Sequence, residues 1–150
     1  MATSRLCSWT RRKFNSVLYH VNPKTIGERT EGLVLAKLLA KGHSVSMPFG
    51  DNQRYDLILD EGGTLSRVQC KTGRIRNGAI RFNAHSVDGK SLKHRNYKNE
   101  IELFIVYCPD NEKFYKVPIN SVGVGKPYLR VEPVRNGQAS GVRLAKDFEF

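Results

Sequence analysis

Apolar and polar residues alternate along two stretches of the chain, residues 55–60 and residues 65–71. A period of two predicts β-strands, and the glycine-containing residues 61–63 between them predict the turn of a hairpin. The first stretch carries apolar residues on both faces, so we expect its strand to be largely buried.

The hairpin is predicted to bring an acid and a lysine together. Asp56 lies in the buried first strand, where a charged side chain has no obvious structural purpose. On the second strand, the alternation places Gln69 and Lys71 on one face and Val68 and Cys70 on the other. We therefore expect Asp56 to lie close to Gln69 and Lys71. The alternative is an exposed cross-strand ion pair between Asp56 and Lys71, which is common and contributes little to stability.

Residues upstream of the hairpin predict an α-helix. Asn22 is a candidate N-cap, and Pro23 suits the first helical position. Gly42 suits the position just after a helix that ends near Lys41. At about 100° per residue, the predicted apolar stripe consists of Val34, Leu35, Leu38 and Leu39, and the opposite side carries Thr30, Lys37 and Lys41.

Glu31 falls in the middle of this apolar stripe. A carboxylate on a core-facing stripe is costly unless a cation, a metal or a hydrogen-bond donor meets it. A functional role is one interpretation of Glu31, and a partly exposed first-turn glutamate favoured by the helix dipole is the other. Glu28, nearer the helix start, is interpreted as a dipole-favoured residue.

Further strands are predicted by the same alternation, over residues 43–49, 79–84, 102–108, 112–119 and 128–134. A chain of 150 residues can bury about two thirds of its unfolded surface in one core, and no repeat or linker divides it. We therefore predict one domain over residues 1–150, with residues 1–20 as a basic N-terminal arm. An organelle transit peptide is the alternative interpretation of this Arg-rich and Ser-rich start.

Positive charge dominates the chain, with 25 Lys and Arg against 14 Asp and Glu and a net charge of +11. A polyanion is the expected partner, nucleic acid first and an anionic membrane surface second. Residues 67–98 hold nine basic residues and one acid, whereas residues 99–150 hold seven of each. A plain solubilising face would be more evenly mixed, so this stretch favours contact with nucleic acid.

The predicted DNA-binding residues come from this basic stretch: Arg74, Arg76, Arg81, Lys90, Lys93, Arg95 and Lys98. They are interleaved with Phe82, His85, His94, Asn96 and Tyr97. Such a mixture suits phosphate contacts, with some base-edge contacts among them.

Cysteines and motifs narrow the possible chemistry. Three widely spaced cysteines, Cys7, Cys70 and Cys108, form no CxxC pair, which is typical of a reduced, cytoplasmic protein. No apolar run approaches the roughly 18 residues needed to cross a bilayer, so a soluble protein is expected. The sequence contains no phosphate-binding glycine loop and no histidines with metal-ligand spacing. Cys70 is interpreted as a small buried residue in preference to a nucleophile.

The combination of Glu31, Asp56, Gln69 and Lys71 favours a divalent metal site. Mg²⁺ prefers oxygen ligands and needs only one or two carboxylates together with substrate phosphate. An ammonium group beside such a site can orient a water or help to deprotonate it, and can neutralise charge in the transition state. These residue types therefore favour hydrolysis of a phosphodiester.

The same residues resemble a known family. A helix with Glu31, then Asp56, then the triplet from Gln69 to Lys71 is similar to the PD-(D/E)XK nuclease superfamily. There an acid opens one strand, and an acid-x-lysine triplet lies on the next. The resemblance implies an α/β (α+β) fold with a four-stranded mixed sheet flanked by helices, here with additional C-terminal β-hairpins. It also implies Mg²⁺-dependent hydrolysis of DNA to 5′-phosphate and 3′-hydroxyl ends.

Carried over residue by residue, the resemblance implies Glu31, Asp56, Gln69 and Lys71 as catalytic residues. The implied metal ligands are Glu31, Asp56, Gln69 and the backbone carbonyl of Cys70, with Mg²⁺ as cofactor and Mn²⁺ as a substitute. Two residues depart from the pattern: Tyr55 stands where proline is frequent, and Gln69 stands where an acid is usual. A glutamine oxygen is a weaker ligand, so Glu31 gains importance as the second carboxylate.

A QxK triplet in a small basic chain resembles most the cyanobacterial group I intron homing endonucleases of this superfamily. That resemblance implies a long pseudo-palindromic site in double-stranded DNA, expected in a tRNA gene. It also implies a homo-oligomer, a dimer at least and a tetramer by expectation. Two other functions stay open: a Holliday junction resolvase, and a non-catalytic DNA-binding protein on a decayed nuclease scaffold.

Overall fold

The computed structural model describes residues 22–50, 52–87, 93–123, 127–132 and 142–150. These residues contain the helix α1 (Pro23–Ala40) and the strands β1 (Ser44–Ser46), β2 (Leu57–Glu61), β3 (Thr64–Thr72), β4 (Arg74–Arg76), β5 (Ala79–Arg81), β6 (His85–Val87), β7 (His94–Asn96), β8 (Leu103–Cys108), β9 (Lys113–Pro118) and β10 (Tyr128–Arg130). No described helix is both long and apolar enough to cross a membrane. The predicted N-terminal arm, Cys7 and Lys90 lie outside the described residues.

Five strands form the main sheet, in the order β1-β2-β3-β8-β9. β3 and β8 are parallel, and the other neighbouring pairs are antiparallel. α1 packs against one face of this sheet through Val34 and Leu38. The predicted α+β fold with a mixed sheet is therefore confirmed. It has five strands where the resemblance implied four, and one α-helix in the described residues where flanking helices were expected.

The β2-β3 hairpin has the predicted form. Its turn consists of Gly62 and Gly63 at φ values of 64° and 92°, which fit a two-residue type I′ turn. Asp60 Oδ1 accepts a 2.7 Å hydrogen bond from the Gly63 amide and stabilises the turn. The register pairs Leu57 with Val68, so β3 continues past the first residue of β2.

α1 begins and ends where the sequence predicts, because Asn22 Oδ1 accepts a 3.0 Å hydrogen bond from the Lys24 amide and Gly42 has a φ of 80°. Its predicted apolar stripe needs two corrections. Leu39 is 54% exposed, whereas Thr30, predicted on the polar side, is only 3% exposed. The buried line is the single i, i+4 row of Thr30, Val34 and Leu38.

Several short strands differ from the prediction. Residues 43–49 contain only the three-residue strand β1, and Met47 and Phe49 are exposed instead of facing the core. β4, β6 and β7 were not predicted. Each has three residues, which is too short for a period of two to be recognised.

The other face of the main sheet is covered by a small antiparallel sheet in the order β10-β5-β4. Ile80 and Leu129 from the small sheet belong to the same buried cluster as Phe104 and Val106 from β8. The chain passes from the main sheet to the small one at Gly73. A Cβ there would lie 2.7 Å from Ile80 Cγ2 and 2.9 Å from Val106 Cγ1. The close approach of the two sheets therefore requires glycine at this position.

Candidate active site

Asp56 is held where β3 extends past the start of β2. Its backbone amide donates to the Val68 carbonyl at 2.8 Å, which continues the hairpin by one bond. Its Oδ2 atom accepts hydrogen bonds from the Gln69 side-chain amide at 2.5 Å and from the Cys70 backbone amide at 2.6 Å. Oδ1 takes part in neither bond. The predicted proximity of Asp56 and Gln69 is therefore present.

The Cys70 backbone faces the same side of β3 as Asp56. The amide and carbonyl of one strand residue point to the same side, so the Cys70 carbonyl is directed away from β8 and toward the Asp56 side. The thiol is buried in the cluster beneath α1, and this burial raises its pKa well above the ordinary value. The interpretation of Cys70 as a buried residue is confirmed, because a reactive thiol needs a lowered pKa.

Glu31 belongs to the same site, although it comes from α1. It lies about two helical turns after Pro23, and the first turn of α1 contains no acid. The interpretation of Glu31 as a first-turn glutamate favoured by the helix dipole is therefore wrong, and Glu28 also lies beyond the first turn. A 2.6 Å hydrogen bond between the hydroxyls of Thr30 and Thr72 joins α1 to the end of β3. This bond satisfies a buried hydroxyl and fixes Glu31 beside the strand.

Without a bound cation, the ionised forms of the Asp56 and Glu31 carboxylates are disfavoured. Burial raises the pKa of Asp56, while the Cys70 amide and the Lys71 ammonium act in the opposite direction. Burial also raises the pKa of Glu31, and repulsion from Asp56 adds to the effect. A cation bound between them would relieve both effects.

The oxygen donors suit a hard divalent cation. Asp56 and Glu31 offer carboxylates, and Gln69 keeps its amide oxygen as an acceptor because its nitrogen donates to Asp56. In the part of the chain that the structure describes, no three His, Cys, Asp or Glu side chains form a ready-made metal cluster. A cation here would depend on two carboxylates, an amide oxygen, the Cys70 carbonyl, water and phosphate, a set that fits Mg²⁺.

Lys71 is fixed by Tyr97, which the sequence placed among residues that contact nucleic acid. Its Nζ donates to the Tyr97 hydroxyl at 3.1 Å and lies 4.9 Å from the ring centroid. Tyr97 is only 4% exposed, so it supports the site and is not available to a base. No ion pair between described residues joins Lys71 to Asp56. The alternative of an exposed Asp56–Lys71 ion pair is therefore wrong.

Arg54 supports Tyr97 in turn. Its guanidinium carbon lies 4.4 Å from the Tyr97 ring centroid. The guanidinium donates to Glu100 and to the Ser86 hydroxyl, both at 2.7 Å, and to the Asn96 carbonyl at 3.1 Å. Sequence reasoning missed this support because the partners of Arg54 and Lys71 lie 26 to 46 positions away.

A cleft of about 450 Å³ connects these groups. Its lining includes Glu31 from α1, Gln69, Cys70 and Lys71 from β3, and Asn83, His85 and Val87 from the chain after β5. Asp56 contacts this lining through its bonds to Gln69 and Cys70. The structure therefore brings together the four residues that the sequence analysis proposed as catalytic.

The predicted DNA-binding residues have different surroundings. Those that the structure describes, Arg74, Arg76, Arg81, Lys93, Arg95 and Lys98, are all exposed. Acids from later in the chain neutralise part of the basic stretch: Arg74 pairs with Asp110 at 3.1 Å, Arg67 pairs with Glu102 at 2.6 Å, and Arg95 pairs with Glu100. The local excess of positive charge is therefore smaller in the fold than along the sequence.

Residues 21–150 match the model of a protein family described as PD-(D/E)XK endonuclease. The fold is also similar to the solved structure of a bacterial homing endonuclease, I-Ssp6803I, with a TM-score of 0.67 and 21% sequence identity. That match covers 85% of this chain and 88% of the other. At this identity the likeness concerns the fold. No curated protein matches the sequence.

Proposed function

Because the chain belongs to the PD-(D/E)XK endonuclease family, we propose that it is a Mg²⁺-dependent, sequence-specific endonuclease that cuts double-stranded DNA. It would leave 5′-phosphate and 3′-hydroxyl ends. The observation that supports this proposal most is that four side chains meet at one cleft: Glu31 from α1, Asp56 from just before β2, and Gln69 and Lys71 from β3.

Glu31, Asp56, Gln69 and the Cys70 carbonyl are the proposed ligands of the cation, and Mn²⁺ would substitute for Mg²⁺. When bound, the cation would supply Lewis-acid chemistry and lower the pKa of a water. Hydrogen bonds from the Gln69 and Cys70 amides fix the Asp56 carboxylate, and this supports Asp56 as one of the proposed ligands.

Lys71 is the proposed catalytic lysine. Its ammonium would neutralise charge that develops on the scissile phosphate and orient the attacking water. Tyr97 acts through Lys71 as a positioning residue, since its hydroxyl accepts a hydrogen bond from Nζ. Fixing a reacting group before the substrate binds is a large part of catalysis.

We extend the proposal to intron homing, on the resemblance of the QxK triplet and on the fold shared with a bacterial homing endonuclease. Because the described residues of one chain form one such site, cutting both strands is proposed to need at least two chains. The proposed partner is therefore a long pseudo-palindromic site, expected in a tRNA gene, bound by a dimer or, by expectation, a tetramer.

Cleavage of long duplex DNA that includes intron insertion points in tRNA genes tests the proposal. We expect the wild type to give discrete 5′-phosphorylated fragments in Mg²⁺ or Mn²⁺ and none without metal. Asp56→Ala and Lys71→Ala should cut about 10²–10⁴-fold more slowly than the wild type, whereas Lys41→Ala, which removes a positive charge near the end of α1, should cut like the wild type. Absence of discrete cleavage by every preparation would overturn the proposal.

Gln69 favours one alternative, a DNA-binding protein without catalysis, because it replaces the usual acid. That alternative predicts salt-sensitive DNA binding with no metal-dependent product. Gln69→Glu probes the site directly: a nuclease should keep its affinity for Mn²⁺, and complete loss would exclude Gln69 as a ligand. Four-way junctions in the same assay identify a Holliday junction resolvase, which would cut them far better than linear duplex.

A further inference from the structure

The small sheet presents arginines on its outer face. The register places Arg74, Arg81 and Tyr128 in one row across the three strands, and Arg76, Ala79 and Arg130 in another. The row between them, Ile75, Ile80 and Leu129, packs into the core. Because side chains alternate along a strand, the four arginines and Tyr128 share the face that points away from the core.

Three of these arginines, Arg74, Arg76 and Arg81, are exposed, whereas Arg130 is half-buried and donates to the Glu132 carbonyl at 3.4 Å. Arg76 and Arg81 are exposed and form no ion pair with any residue that the structure describes. Arg74 contacts Asp110 at 3.1 Å, while the same carboxylate accepts a 2.7 Å hydrogen bond from the Ile75 amide. Asp110 therefore orients Arg74 at the edge of the sheet, and the remaining charge favours an anionic ligand.

Part of this face has a form that fits duplex DNA. The major groove of B-DNA is about 12 Å wide and admits a two-stranded β-ribbon, and the paired strands β4 and β5, which carry Arg74, Arg76 and Arg81, form such a ribbon. In the row of Arg76 and Arg130, the middle strand carries only the small side chain of Ala79. Arginine is the side chain that most often contacts guanine in that groove, and β-strands are one of the elements that enter it.

The small sheet also adjoins the cleft. Lys71 and Thr72 line the cleft just before β4, and Asn83 and His85 line it just after β5. Arg74 follows Lys71 by three residues, at most about 10 Å of extended chain. A duplex with one phosphate in the cleft would therefore pass within a few base pairs of this face.

We propose that the arginine sheet, defined as β4, β5 and β10 with Arg74, Arg76, Arg81, Tyr128 and Arg130, binds the major groove of duplex DNA beside the cleaved bond. The placement of the DNA rests on the proposed function. This inference adds Tyr128 and Arg130 to the predicted DNA contacts. It also gives Arg74, Arg76 and Arg81 one shared role on one face.

A pair of double variants tests the proposal. Arg76→Gln with Arg81→Gln alters the sheet, and Lys41→Gln with Lys113→Gln removes the same charge from α1 and from the edge strand β9. Binding is measured without metal on a fluorescein-labelled mixed-sequence duplex and on the same duplex with 7-deazaguanine in place of guanine. The second duplex lacks the N7 acceptor of the major groove.

We expect the sheet variant to bind the normal duplex about tenfold more weakly than the wild type, and the control variant to stay close to the wild type. The wild type and the control variant should bind the 7-deazaguanine duplex more weakly than the normal duplex. The sheet variant should bind both duplexes equally. If both double variants bound DNA equally weakly, net charge alone would explain the effect, and the proposal would be overturned. An equal response of all three proteins to 7-deazaguanine would overturn it as well.

Cleavage in Mg²⁺ is scored separately, so the two proposals can fail independently. DNA binding that depends on the sheet, without cleavage by any preparation, would support the arginine-sheet proposal and contradict the endonuclease proposal. Cleavage by the wild type, together with unchanged DNA binding by the sheet variant, would support the endonuclease proposal and contradict the arginine-sheet proposal. Thermal melting of the variants confirms that the exposed substitutions leave the fold intact.

Discussion

The candidate active site and the arginine sheet lie three residues apart along the chain, at Lys71 and Arg74. Their polar groups differ in burial and in their contacts with the rest of the protein. At the site, the side chains of Asp56, Gln69 and Lys71 are partly buried, and each contacts another group of the protein. On the sheet, Arg76 and Arg81 point outward and pair with no acid among the described residues. Reacting groups have to be fixed before the substrate binds, whereas a binding surface has to leave donors for its partner.

The same contrast divides the arginines themselves. Arg67 belongs to the basic stretch of the sequence, but its backbone amide and its guanidinium both donate hydrogen bonds to the Glu102 carboxylate, which make it part of the fold. Arg76 and Arg81 belong to the same stretch and have no such partner among the described residues. Clustered charge in a sequence therefore overstates the charge that a fold offers to a ligand.

The largest effect is expected from Lys71→Ala. Loss of the ammonium should lower the rate of DNA cleavage by about 10²–10⁴-fold, because proton transfer and charge neutralisation at phosphate contribute that much. DNA binding should change little, since the arginine sheet is intact. Single-turnover cleavage and anisotropy titration measure the two quantities. A matched loss of binding and rate would mean that Lys71 is only a DNA contact.

Asp56→Asn should weaken Mn²⁺ binding by about 10- to 100-fold, because the site loses one of two negative charges. Asn keeps an oxygen that can accept from the Cys70 amide, so the free energy of unfolding should change by only about 1 kcal/mol. Calorimetric titration with Mn²⁺ and chemical denaturation measure these values. Asp147→Asn is the control, since Asp147 is exposed near the end of the chain. Equal Mn²⁺ affinity in both variants would contradict the proposed ligand set.

Tyr97→Phe separates positioning from packing. The ring and its contact with Arg54 remain, and only the hydroxyl that accepts from Lys71 is lost. We expect the cleavage rate at saturating DNA to fall about tenfold, which corresponds to one charge-assisted hydrogen bond, with DNA affinity unchanged.

Tyr115→Phe is the matched control for this prediction, because it removes another buried hydroxyl, one that accepts a 2.8 Å bond from Asn111. Both variants should lose a similar small amount of stability, and only Tyr97→Phe should lose rate. Equal rates in the two variants would show that Tyr97 serves packing alone.

The smallest effect is expected from Glu102→Gln, which removes the ion pair that holds Arg67 in the fold. Its hydrogen bond with Arg67 lowers the pKa of Glu102. The ion pair therefore stabilises the fold above the ordinary glutamate pKa, and this contribution is lost as the pH falls through the lowered value. Since both side chains are about 40% exposed, the cost at neutral pH should stay below about 1 kcal/mol.

Denaturation of wild type and Glu102→Gln at several pH values checks this prediction. The difference in unfolding free energy should disappear in acid, and DNA affinity should be the same at neutral pH. A clear loss of DNA affinity would place Arg67 with the binding residues and remove the contrast with Arg76.

The parts of the fold that sequence predicted are those with local determinants. The β2-β3 hairpin follows from alternation and from Gly62 and Gly63, and α1 follows from Asn22 and Gly42. The proximity of Asp56 and Gln69 follows from that hairpin, because Asp56 directly precedes β2 and its backbone amide bonds to the Val68 carbonyl, next to Gln69 on β3.

Other features depend on contacts between distant segments and could not be read from the sequence. Burial of Thr30 requires Thr72, 42 positions later, and the role of Tyr97 requires a partner 26 positions earlier. The arginine sheet requires β10 to pair with β5 across most of the second half of the chain. The sequence showed the arginines, but not that they share one face.

Anomalous scattering from a crystal grown with Mn²⁺ is the most direct test of the proposed active site. We expect a peak about 2.1 Å from an Asp56 carboxylate oxygen, within reach of Glu31, Gln69 and the Cys70 carbonyl and beside the Lys71 amine. A crystal of protein that cleaves DNA in Mn²⁺, with no peak at Asp56 or with the ion bound elsewhere, would contradict the account.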